Sequence, residues 1–136
     1  MNAMKKELKM INLSEKQRDV KSKIDKIAPM LGLDPIWATS IAMIESSLGV
    51  HQLSKTGCKG VFQMSTIAMK DLLKDMENID DDLIDIICGL LFLRLLLNRW
   101  KDTKKATEHF CDPAEKKSYL QRVTNCMRIF SEKENL

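Results

Sequence analysis

Apolar residues recur along much of this chain with the spacing of a helix. Between Ser14 and Met30, and just beyond, Val20, Ile24, Ile27 and Leu31 fall on one face. Gly32 is placed to stop that helix. Asp34 and Pro35 are placed to start the next, Asp as N-cap and Pro at the first helical position, where no backbone donor is needed. The second helix is apolar almost throughout and runs to about Glu45. Residues 46–64 then lose the period. They contain Gly49, Gly57 and Gly60, yet also Val50, Leu53, Val61 and Phe62, so an ordered loop with room for a small β element is expected rather than disorder. Ser65 caps a predicted helix over Thr66 to about Met76. Asp80, Asp81 and Asp82 open the next, over about 81–100, with acidic charge at the positive end of the helix dipole. That helix carries Leu83, Ile84, Ile86, Ile87, Leu90, Leu91, Phe92, Leu93, Leu95, Leu96 and Leu97 on nearly every face, the pattern of a buried central helix. A shorter helix is expected over about 102–110. The last opens with Asp112, Pro113, Ala114 and Glu115, a capping-box pattern, and buries Tyr119, Leu120, Val123, Met127 and Phe130. The expectation is an all-α domain over residues 15–136, behind a flexible polar lead over 1–14.

Composition adds a few limits. A chain of 136 residues supports one core. A net charge of +3 without a basic stripe gives no reason to expect nucleic acid, and suits a weakly polyanionic partner such as a cell-wall polymer. The most apolar segment, Leu83 to Leu97, is short and contains Asp85 and Arg94, so no membrane insertion is expected. The N-terminal basic residues have no apolar run behind them and do not form a signal peptide. Synthesis in a cytoplasm is therefore expected, with delivery by another agent if the substrate lies outside. Cys58, Cys88, Cys111 and Cys126 form no CxxC, and neither His51 nor His109 stands at metal-binding spacing from them. Reduced core thiols are expected, and neither a metal nor a cofactor.

The candidate chemistry centres on Glu45. It stands where the apolar second helix meets the glycine-bearing loop, and no other Asp or Glu follows before Asp71. A lone carboxyl at such a junction is placed to hold its proton near neutral pH, as a general acid must. The bland reading is a helix-end glutamate satisfied by loop backbone.

Further residues around Glu45 supply a resemblance. Glu45 and Ser46, followed by Ser54, Thr56, Gly57, Cys58, Gly60, Val61, Phe62, Gln63 and Met64, resemble the signature of the soluble-type lytic transglycosylases. These belong to the lysozyme-like superfamily, near goose-type lysozyme. The family pattern is Glu-Ser at a helix end, then Ser-x-x-Gly-Ala-x-Gly-Leu-Met-Gln, then a helix. Leu33, Asp34 and Pro35 resemble the family's entry to the catalytic helix. Asp85, Ile86, Gly89, Phe92 and Leu93 resemble its Asn-Ile-x-x-Gly-x-x-Tyr-Leu motif, and Tyr119, Leu120 and Val123 its Tyr-Val-x-x-Val. The matches run in order over about residues 24–130. They imply a mostly helical lysozyme-like domain that cleaves the β-1,4 bond between N-acetylmuramic acid and N-acetylglucosamine in peptidoglycan, leaving a 1,6-anhydromuramic end.

The resemblance also distributes roles. Glu45 would be the single acid/base. Ser54 would donate to a substrate N-acetyl or hydroxyl group, and Gln63 would contact the sugar or brace the loop. Ser46 joins the site chiefly by bracing the turn after Glu45. Gly57 and Gly60 would let the backbone turn tightly and approach the glycan. Phe62 and Met64 would line the cleft or pack in the core, and Lys55 and Lys59 would meet peptide-stem carboxylates or remain solvated. Trp37 and Trp100 read as core residues rather than sugar platforms. Departures from the pattern include Cys58 for Ala, Ser65 for Pro and Asp85 for Asn. The family's Tyr-Asn-Ala-Gly motif, whose Tyr hydrogen-bonds near the catalytic Glu, is missing, and His109, Phe110, Cys111, Asp112 and Pro113 stand in its place. That contact is either taken over by His109 or lost.

No loop carboxylate follows Glu45, although Asp85 or Asp112 could arrive from elsewhere. The alternatives are thus a hydrolysing lysozyme of the same fold and a catalytically degenerate, glycan-binding structural part. A wall enzyme with no signal peptide fits a virion component, a holin-released endolysin or a cargo of a specialised secretion apparatus.

Overall fold

The computed structural model describes residues 12–50, 58–65, 81–110 and 113–134. Two of its elements begin as the capping chemistry predicts. Helix α1 (Glu15–Ile27) is opened by a reciprocal box: the Gln17 N–H donates to the Ser14 hydroxyl, and the Ser14 N–H donates to the Gln17 side chain. Pro29 has no N–H to continue the ladder, and the chain tightens into a 3-10 turn over Ala28–Leu31 before Gly32 ends it at φ 68°. Helix α2 (Pro35–Ser46) starts at Asp34, whose carboxylate accepts from the Ile36 N–H at 2.9 Å. The folded part already includes Leu13, which is buried, and Ser14, the α1 cap. The rest of the expected polar lead, residues 1–11, lies outside the described residues.

Residues 58–65 form a small antiparallel ladder, β1 (Cys58–Lys59) with β2 (Met64–Ser65), pairing Cys58 with Ser65 and Lys59 with Met64. Helix α3 (Asp81–Trp100), helix α4 (Thr103–Phe110), a 3-10 turn (Pro113–Glu115) and helix α5 (Lys116–Glu134) complete the described elements. The fold is all-α apart from the two-residue ladder. The helix expected over Thr66–Met76 falls outside the described residues.

One core joins α1, α2, α3, α4 and α5, and contains Val20, Ile24, Trp37, Ile41, Leu90, Leu93, Val123 and Phe130. The Trp37 indole N–H donates to the Thr107 hydroxyl at 2.8 Å, which satisfies the one polar atom that this large side chain carries into the core. Trp37 is thus the core residue expected. Cys88 and Cys126 are buried thiols outside any disulfide, and burial, then the charge of Asp85, pushes the Cys88 thiol above its ordinary range.

The central helix differs from the expectation in one respect. Ile86, Leu90 and Leu93 are buried, but Leu91 and Leu95 are exposed. Leu91 and Leu95 stand one turn apart on the face turned from the core, so the all-round apolar pattern overstates how much of α3 is covered among the described residues.

Candidate active site

The end of α2 is built to hold a carboxyl against the last helix. Ser47 closes α2 in the left-handed region at φ 50°, followed by Leu48 at 54° and Gly49 at 88°. A side chain in two successive left-handed residues costs free energy that neighbouring contacts must offset. Here the Ser47 and Leu48 N–H groups donate back to the Met43 and Ala42 carbonyls, Leu48 is fully buried, and the Gln17 side chain donates to the Ser47 carbonyl at 3.0 Å. The turn is therefore fixed from two sides, and Glu45 sits in the helical turn just before it.

Ser46 is the pivot between this turn and the hairpin. Its buried hydroxyl lies 2.5 Å from the Val61 carbonyl, with the Ala42 carbonyl at 3.2 Å as the alternative acceptor, and it accepts from the Gly49 N–H at 2.9 Å. It is 1% exposed and braces backbone on both sides of the turn. Gln63 has the same character. Its side-chain amide and its backbone N–H both donate to the Gly60 carbonyl, at 2.8 and 3.2 Å, so the loop-bracing reading describes it. Phe62 is buried and belongs to the core.

Two glycines set how closely the hairpin approaches α3. At Gly60, φ is 87°, and a Cβ would come 2.5 Å from a carboxylate oxygen of Asp85. At Gly89, a Cβ would come 2.2 Å from the Phe62 ring. Asp85 and Gly89 are one turn apart on α3, so a single helix face receives both the Gly60 turn and the Phe62 ring. Asp85 is thus engaged with the hairpin.

Glu45 itself is half-buried, and its Oε1 accepts from the Tyr119 hydroxyl at 2.8 Å. Tyr119 is 2% exposed and reaches across from α5. Burial raises the Glu45 carboxyl above its ordinary range. The Tyr119 hydrogen bond and the Arg122 charge oppose that rise without cancelling it, and Glu115 adds to it. Burial disfavours the ionised form, while a donor and a cation favour it. The product is a carboxyl that keeps its proton to higher pH than an exposed glutamate.

This geometry corrects the reading of His109. The hydrogen bond to Glu45 is neither lost nor taken by His109. It comes from Tyr119, the first residue of the stretch that resembles Tyr-Val-x-x-Val. His109 instead stacks on Trp100, rings 3.7 Å apart and 4° from parallel, with the Arg99 guanidinium 5.6 Å from the Trp100 ring. Trp100 is accordingly half-buried under His109 rather than a core residue. Among the described residues, Arg122 and Glu115 are charged groups that act on Glu45. Neither was singled out from sequence. The signal available for both was their position about one turn from Tyr119, Glu115 in the 3-10 turn before α5 and Arg122 within α5.

Ser54, Lys55, Gly57 and Asp112 lie outside the described residues, as do the side chains of Lys59 and Met64. Among the described residues no cluster of His, Cys, Asp and Glu is arranged to hold a metal, and no helix is long and apolar enough to cross a membrane. Comparison with family models, with characterised proteins and with solved structures finds no match to this chain.

Proposed function

We propose that the chain is a lytic transglycosylase that cleaves the glycan strand of peptidoglycan, with Glu45 as its single acid/base. The observation that supports this best is the Glu45–Tyr119 pair: a half-buried carboxyl with a raised pKa, held by one hydroxyl and set at a rigid helix end. Protonated Glu45 gives its proton to the glycosidic oxygen as the bond from C1 of the muramic residue breaks. The resulting Glu45 carboxylate then takes the proton of the same sugar's 6-hydroxyl as that oxygen attacks C1. Glu45 ends protonated, as it began, and no water is consumed. Tyr119 fixes which Glu45 oxygen is free to face the substrate. It also stabilises the carboxylate that exists between the two proton transfers.

Hydrolysis is the second reading, and Glu115 is the observation that favours it, since its charge acts on Glu45 and a water could stand between two such carboxyls. Glu115 is exposed, and an exposed carboxylate is poorly placed to replace the hydration of a reacting centre. Digestion of purified peptidoglycan followed by mass analysis separates the two. Anhydromuramic ends are expected. Reducing muramic ends identify a hydrolase, and an intact polymer with a folded protein identifies a glycan-binding structural part.

A further inference from the structure

Beside Tyr119, α4 and α5 enclose an open groove of about 730 Å³. Its walls carry Lys104 from α4 and Lys117, Arg122 and Arg128 from α5, against a single acid, Glu108. Arg128 is oriented along its own helix by Glu132 and Asn125, at 3.0 Å each. Lys104, Lys117 and Arg122 are exposed. The rest of the lining is mostly amide and hydroxyl side chains, among them Gln121, and no aromatic ring is present. A groove without a ring face offers little for a sugar to stack on, while ammonium and guanidinium groups are matched to carboxylates.

Arg122 connects this groove to the candidate active site. Its guanidinium lies 5.7 Å from the Tyr119 ring centroid, and its charge is felt by Glu45. In peptidoglycan the stem peptide is attached to the muramic residue, the sugar whose C1 would react beside Glu45. The stem must therefore leave the sugar next to the acid, and it carries free carboxylates.

We propose that the α4–α5 groove binds the carboxylate-bearing stem peptide of the wall polymer, with Arg122 at its inner end and Lys104 and Lys117 farther along. This rests on the peptidoglycan reading above. It adds a reason for substrate choice: strands bearing stems are preferred over stripped ones. The overall charge of +3 is modest, so attraction to the wall is local to this groove and not spread over the surface.

The test is a titration of the full chain with free stem tetrapeptide, paired with cleavage of strands that keep their stems and strands stripped by an amidase. The tetrapeptide should bind, more weakly at high salt, and the K104Q/K117Q double variant should bind it about tenfold less tightly. The same variant should lose the preference for stem-bearing strands and retain its rate on stripped ones. No tetrapeptide binding, equal binding by the variant, or tighter binding of a glycerol-phosphate oligomer than of the peptide would overturn the assignment. Titration needs no turnover. Binding without cleavage therefore supports the groove and removes the catalytic reading, and cleavage without binding does the reverse.

Discussion

Glu45 is the residue on which the proposed function and stability pull in opposite directions. Its carboxyl holds a proton more tightly in the folded protein than in the unfolded chain. Folding stability contributed there is complete below the ordinary carboxyl pKa, and is lost as pH rises through the raised folded value. Glu45→Gln removes that loss, so the variant should melt higher than wild type at neutral pH and converge with it in acid, as thermal unfolding across pH will show. The same change should reduce glycan cleavage by about 10²–10⁴-fold, the usual contribution of a positioned acid/base. Tyr119 has a separate signature. Its hydrogen bond lowers the Glu45 pKa, so Tyr119→Phe should move the alkaline limb of the activity profile to higher pH. A limb that stays in place would mean that another group controls it. Glu45 was legible in the sequence because a single carboxyl stands at an apolar helix end. Its partner was harder to see, because Tyr119 lies 74 positions away and only packing α2 against α5 joins them.

At the level of elements, the candidate site depends on how the hairpin is pinned between α2 and α3. Ser46→Ala removes the donor to the Val61 carbonyl and the acceptor of the Gly49 N–H, and should cost about 1–3 kcal/mol. A shifted denaturation midpoint with unchanged slope would register it. Were Ser46 only a substrate contact, stability would not change. Gly89→Ala drives a methyl into the Phe62 ring and should cost about 1–3 kcal/mol of overpacking, with the hairpin displaced. The helices themselves were readable from local chemistry: Ser14 with Gln17, Asp34 with Pro35, and Gly32 as a stop all act within a few residues. The exposure of Leu91 and Leu95 was not, since an apolar residue carries no record of whether a neighbour covers it. The stacking of His109 on Trp100 was equally hidden, because it depends on how tightly the chain turns between α3 and α4.

Across the whole molecule, α2, α4 and α5 bring together a half-buried carboxyl, its tyrosine partner and a basic groove from distant parts of the chain. Periodicity and caps carried the fold class. Ordered motifs suggested a chemistry, and the structure places Tyr119 against Glu45, with Arg122 and Glu115 acting on its charge. The measurement that bears most directly on this account is the release of muropeptides from purified peptidoglycan by wild type and Glu45→Gln side by side, with both proteins shown to be folded. The account predicts anhydromuramic products from wild type and none above background from the variant. Equal release by both proteins would contradict it, because Glu45 would then not be the acid that breaks the strand.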